Sequence, residues 1–334
     1  MRLAIAAILA LPVLPALPAD APAQTRASGE VLRFAPPEGV PLRYRIEARR
    51  SWRGEDAPPI AGTTRYEVEL RFGPAATDGS RRMTWRLLEL AQEGAGPAGT
   101  TGTPGAPDIA GAVAQELKAQ PVEVELYASG AVRGLANWPE VAAAFDRAAA
   151  RLAALAPPPP EGMRRPRDAE DASVPGPAGA LDRLGAAAAS ELLLRDLAPL
   201  LGWGGLPVGG AGLNDFARLR VDGLGAGAIA RRERSLARLP GGQVEARLTL
   251  TPAEGALADT VRSAGRAAPA RSPRRESERP PAELRRLEQA DIAETTRARL
   301  DPATGLPVEG VIERRTRAPG LFEQTETVTV ARLG

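Results

Sequence analysis

The chain has 334 residues, a formal net charge of +2, and neither cysteine nor histidine. The two absences exclude Ser-His-Asp and Cys-His nucleophile systems, histidine- or thiolate-ligated metals, and disulfides. Glycine (35) and proline (33) are abundant and aromatics make up only 4%, so the apolar pattern must be read segment by segment.

Residues 1–23 read as a secretory signal peptide. Met1-Arg2 gives a short basic start, 3–17 are apolar, and Ala21-Pro22-Ala23 resembles a signal-peptidase site. Pro12, Pro15 and Pro18 interrupt the stretch, which argues against a spanning helix. Cleavage near Ala23 is expected, with no membrane span afterwards and no cysteine for lipid attachment. The expected location is the periplasm or the cell exterior. A flexible N-terminus over 24–29 and a single domain over 30–333 follow.

Period-two alternation predicts half-buried antiparallel strands over 42–49, 65–72, 82–87 and 122–126. One face carries Tyr44, Ile46, Tyr66, Val68, Phe72, Met83 and Trp85. The other carries Arg and Glu, which can pair across strands for roughly 0.2–1 kcal/mol each. Asp78-Gly79 and Ser129-Gly130 fit hairpin turns. The segment 30–135 is thus read as a β-meander.

Residues 137–200 change period. Asn137 suits a helix N-cap and Pro139 its first turn, opening an Ala-rich helix to about Leu155. A second helix fits 181–197. From 213 to 333 the strands return, with Pro240-Gly241-Gly242, 301–305 and Ala318-Pro319-Gly320 as turns. Pro- and Gly-rich stretches at 94–111, 156–180 and 265–282 read as linkers or disordered inserts. The expected fold class is α+β and strand-rich. A curved antiparallel sheet, or two β layers, would carry a central helix pair and disordered loops.

Four local patterns occur in one order. Glu38-Gly39-Val40-Pro41-Leu42-Arg43-Tyr44 leads into the first strand. Leu117-Lys118 runs into 122–127, then Ser129-Gly130-Ala131-Val132. Leu200-Leu201-Gly202-Trp203-Gly204-Gly205-Leu206-Pro207-Val208-Gly209 follows the second helix. Leu300-Asp301-Pro302-Ala303-Thr304-Gly305-Leu306-Pro307 enters the last hairpin. This series resembles a family of exported bacterial proteins classed as a domain of unknown function. The resemblance implies a strand-rich exported fold and supplies no catalytic residues. The expected architecture is also similar to periplasmic lipoprotein carriers, which hold acyl chains on a concave sheet face.

Candidate sites are few. Tyr44, Tyr66, Phe72 and Trp85 share the apolar sheet face and are candidates for lining a ligand cavity, with packed core as the alternative. Glu123 and Glu125 lie ~7 Å apart on one strand face, a separation at which paired carboxylates hydrolyse glycosides. Neighbouring arginines would neutralise them. Asn214-Asp215 reads as a loop or helix cap, and Asp168, Glu170 and Asp171 as a mixed-charge tract. The Gly202–Gly212 run lacks a phosphate-loop lysine, and Lys118, the only lysine, suits a solvated position. No catalytic, metal-binding or cofactor-binding residue is assigned, and no cofactor is expected.

Arginines alternate with glutamates and few aromatics are available for stacking, so no nucleic-acid partner is expected. The leading expectation is a non-enzymatic envelope protein that binds an apolar ligand or an apolar protein segment. Its partner would be a lipid or another envelope protein. A structural or interaction module without a small-molecule ligand is the alternative, and a carboxylate-only hydrolase a distant third.

Overall fold

Alternating apolar and charged residues form eleven antiparallel strands in a computed structural model. It describes residues 29–55, 58–94, 109–155, 185–221, 226–267 and 282–334. The first meander contains β1 (Leu42–Gly54), β2 (Ile60–Phe72), β3 (Arg81–Gly94), β4 (Val122–Leu126) and β5 (Val132–Leu135). The second contains β6 (Leu213–Val221), β7 (Ala226–Arg238), β8 (Val244–Pro252), β9 (Asp291–Leu300), β10 (Pro307–Ala318) and β11 (Phe322–Leu333). Pairing of β1 with β11 joins the two meanders into one sheet, in the order β5-β4-β3-β2-β1-β11-β10-β9-β8-β7-β6.

The α+β expectation is overturned: the fold is mostly β. The strands run past their alternating cores, so that β1 reaches 13 residues. The helices among the described residues are fewer and, apart from one of 18 residues, run to 12 or less. They are α1 (Ile109–Ala119), α2 (Trp138–Leu155), α3 (Ala186–Leu194), α4 (Ala256–Ala267) and α5 (Ala282–Glu288), with a 3-10 turn at Ala198–Leu200. Helix α3 ends at Leu194, short of the expected 197, because 195–197 turn into the 3-10 turn that follows, and 181–184 of the expected helix lie outside the described residues. The supposed linkers at 94–111 and 265–282 also need correction, since α1 begins at Ile109, α4 runs to Ala267 and α5 begins at Ala282. The rest of those two stretches, the 156–180 insert and the 1–23 signal segment lie outside the described residues.

The sheet curls strongly, as chain lengths require. Gly204 donates its N–H to the Ser129 carbonyl in the β4–β5 turn (3.0 Å), and Gly209 donates to Leu236 on β7 (2.8 Å). The few residues between them reach at most ~18 Å. In a flat sheet, β4 and β7 are eight strand steps apart, about 38 Å at ~4.8 Å per step. The 201–209 segment therefore straps the two limbs of a folded-over sheet, and its Trp203 is among the largest fully buried side chains.

Two glycines allow close approaches to the β9–β10 hairpin. At Gly305, with φ +69°, a Cβ would sit 2.4 Å from the Arg33 carbonyl oxygen. At Gly310 on β10 a Cβ would lie 2.6 Å from a Leu200 methyl, so the bare backbone lets the 3-10 turn rest on the sheet.

Both limbs share one inner face, but they are covered differently. On β1–β4 it is filled by Tyr44, Ile46, Val68, Phe72, Met83, Trp85 and Val124, all buried. Helix α1 packs on β3 and on α2, whose Phe145 and Val141 are buried. A buried carboxylate, Glu116 of α1, pairs with Arg147 (2.6 Å) and Arg151 (2.8 Å) of α2. On the other limb, α4 packs against β7 through the buried Leu257 and Val261, while Ile229 on the outer face stays exposed. The outer face carries the expected cross-strand pairs, such as Arg45–Glu67 (2.8 Å) and Arg65–Glu47 (2.9 Å).

Candidate functional site

Ladder register lines up inward-facing residues across neighbouring strands. One such row holds Arg50 on β1, Glu326 on β11, Arg314 on β10, Glu294 on β9, Leu250 on β8, Arg232 on β7 and Asp215 on β6. Six of its seven members are charged, and opposite charges sit side by side except where Leu250 interrupts.

The half of this belt on β1 and β9–β11 is paired throughout and, apart from the 37%-exposed Arg50, largely buried. Arg314 donates from Nε to Glu294 Oε2 (3.0 Å) and from Nη1 to Asp196 Oδ1 (2.8 Å) and Glu326 Oε2 (2.9 Å). Its Nη2 donates to the Arg195 carbonyl (2.8 Å). Glu326 also accepts from Arg50 and pairs with Arg195 (2.9 Å). The Tyr66 hydroxyl donates to Asp196 Oδ2 (2.8 Å). Arg195 and Asp196 lie just past the C-terminal end of α3, so the network pins that helix to the sheet.

Charges balance here, three arginines against Asp196, Glu294 and Glu326. Burial alone would raise the Glu326 carboxyl, but Arg195, Arg50 and Arg314 outweigh it and hold the pKa at about 2. Burial likewise opposes the charge of Arg314, and Glu294, Asp196 and Glu326 overcome it, keeping the guanidinium above its ordinary value. Burial, then the Asp196 charge, push the Tyr66 phenol well above its usual range. A carboxylate neutralised this thoroughly is a poor base or nucleophile.

Beyond Leu250 the balance differs. Asp215 accepts from Arg232 Nε and Nη2 (both 2.6 Å) and from Arg234 Nη2 (3.0 Å). Hydrogen bonds from Arg232 lead the effects that lower the Asp215 pKa. Burial, then repulsion from Arg232, lower that of Arg234. Arg234 also donates to the Gly202 carbonyl (3.3 Å), while its buried Nε has no hydrogen-bond partner.

A cavity of about 790 Å³ opens between α3 and strands β6–β10. Leu194, Ala198, Leu219, Leu248, Leu250 and Ile292 give it an apolar wall, with Glu294, Arg314 and Arg232 along the belt. Leu192 of α3 also lines it and is 43% exposed, an apolar side chain left at the cavity. A more open depression of about 490 Å³ lies among Arg49, Thr63, Glu93 and Thr327.

The residues singled out in the sequence lie elsewhere. Tyr44, Phe72 and Trp85 are buried in the first limb, with Phe34 edge-on to Phe72 at 5.9 Å. Tyr66 is half-buried and serves the Asp196 network. None of the four lines the 790 Å³ cavity. Asn214-Asp215 is neither loop nor cap: both sit in β6, and Asp215 ends the charged belt. Glu123 pairs with Arg82 (3.5 Å) and Glu125 with Arg133 (3.9 Å) across strands. Lys118 is exposed on the last turn of α1. Asp168, Glu170 and Asp171 lie outside the described residues. Among the described residues no group of three or more acidic side chains could hold a metal ion.

The belt was missed, yet its signal is visible. Glu326, Arg314, Glu294 and Arg232 occupy inward positions of otherwise apolar alternation, the one parity at which a charge is costly. The lining leucines of β8 are legible as inward, but their place at a cavity depends on how α3 crosses the sheet.

No family model matches the chain, and no curated protein does. Among solved structures, one titled lipid-protein interactions in lipovitellin superposes at a TM-score of 0.40 with 8% identity, covering 89% of this chain and 25% of that one. The chain thus spans about a quarter of the lipovitellin chain. DynF from the dynemicin biosynthesis pathway of Micromonospora chersina gives a TM-score of 0.20 at 8% identity, covering 91% of this chain and 86% of that one. No helix among the described residues is long and apolar enough to cross a membrane.

Proposed function

We propose that this protein is a non-enzymatic binder of an apolar ligand, held between α3 and strands β6–β10. The observation that carries the reading is the cavity of about 790 Å³ with its leucine and isoleucine wall. That volume lies within the roughly 300–1,000 Å³ of small-molecule sites. The first limb of the same sheet is filled by its own side chains. Neutralised belt carboxylates support a binding role over a catalytic one. We also propose export: the apolar 3–17 stretch and Ala21-Pro22-Ala23 would direct the chain to the periplasm or exterior, where lipids and envelope proteins are the available partners.

Native mass spectrometry of the purified exported protein tests both readings. The expected spectrum shows a chain beginning after Ala23 and carrying bound lipid-sized mass that collisional activation removes. A ligand-free chain that also takes up no added lipid would favour an interaction module without a small-molecule ligand. An intact Met1 would remove the export reading.

A further inference from the structure

The cavity wall is not electrically neutral: six arginines and two glutamates line it. Arg195 and Arg314 are matched by Glu326, Asp196 and Glu294. Arg232 is not matched in the same way, because it shares the single carboxylate of Asp215 with Arg234. Two guanidiniums on one carboxylate leave a surplus positive charge beside the apolar wall, and behind Arg232 the buried Arg234 Nε has no hydrogen-bond partner. Leu250 adjoins Arg232 in the row, and Ala217 and Leu219 continue the apolar wall along β6.

We propose that the ligand is an anionic amphiphile: a carboxylate or phosphate head meets Arg232, and an acyl chain lies against Leu250, Ile292 and Leu219. This rests on the apolar-ligand reading and adds the head group. An anion here would complete the charge balance that Asp215 leaves half done, so a charge-assisted hydrogen bond would form without stripping Arg232 of its partner.

The test compares three probes with matched monounsaturated hydrocarbon chains, titrated into the full exported protein: oleyl alcohol, oleate and oleoyl lysophosphatidate. Either anion should bind about tenfold or more tightly than the alcohol, as a charged hydrogen bond implies. Tighter oleate identifies a carboxylate head, and tighter lysophosphatidate a phosphate head. Arg232→Gln should reduce the preference at least severalfold, and Arg232→Lys should retain most of it. Equal affinity for all three in the wild-type protein overturns the head-group assignment and leaves the apolar-ligand reading standing. Failure of all three to bind removes that reading itself. The wild-type comparison decides the matter even if Arg232→Gln does not fold.

Discussion

Two limbs of one sheet, built on the same alternation, differ in what fills their inner face. The β1–β4 limb carries Tyr44, Phe72, Met83 and Trp85, sealed by α1 and α2. The β6–β10 limb mixes the small Ala217, Ala228, Ala230, Ala246, Ala298 and Gly310 with Leu219, Leu248, Leu250 and Ile292, and is crossed by the charged belt. Large side chains close the first limb. Small ones leave the second dependent on α3, α4 and the 3-10 turn for cover, and the cavity lies where α3 does not reach the strands. A charged row then holds α3 at that distance, so the polar belt and the apolar cavity belong to one arrangement.

The contrast makes graded demands on stability. Glu326→Gln, which leaves Arg50, Arg195 and Arg314 facing a neutral group, should cost about 3–5 kcal/mol in urea unfolding, as expected for breaking a buried pair. Trp85→Ala in the filled limb should cost a similar ~3–5 kcal/mol. Leu248→Ala, on a buried side chain that also borders the cavity, should fall at the low end for leucine, about 2 kcal/mol. Overpacking should separate the limbs as clearly. Ala48→Leu in the closed face should cost about 1–3 kcal/mol, while Ala217→Leu, on the cavity wall, should change stability by less than ~1 kcal/mol. Arg45→Gln on the outer face should cost the least, below about 1 kcal/mol.

Acid should act through the belt. The folded pKa of Glu326, about 2, lies below its ordinary value of 4.5. A depressed carboxylate contributes stability that is fully present above the ordinary value and is lost as pH falls towards the folded one. The melting temperature should therefore drop between about pH 4.5 and pH 2, and Glu326→Gln should flatten that slope.

Much of the sheet was legible because alternation reports burial directly. Strands β1 to β4 and β7 to β11 announce themselves by period two and by their turns. Strand β6 did not, because Asn214-Asp215 after a glycine run looks like turn chemistry, and only pairing to Arg232 and Arg234 makes Asp215 a strand residue. Helix α1 was hidden beside Pro- and Gly-rich sequence, since a short amphipathic helix gains its stability from packing on α2 and β3. The fold class was misread because two helical runs were given the same weight as the two β-meanders. The site was the least legible part. Aromatic residues drew attention to the limb they fill, whereas a cavity is defined by side chains that are absent. Which two sheet limbs approach each other is set by the 201–209 strap, which no periodicity reveals.

Titration with the uncharged fluorophore N-phenyl-1-naphthylamine, in wild type and in Ala217→Phe, separates the two limbs by their capacity to take up an apolar molecule. The expected result is saturable, blue-shifted emission at one site per wild-type chain, lost in Ala217→Phe while the folded spectrum and melting temperature stay close to wild type. Absence of uptake in the wild type, or uptake that survives Ala217→Phe unchanged, would contradict a ligand site between α3 and strands β6–β10.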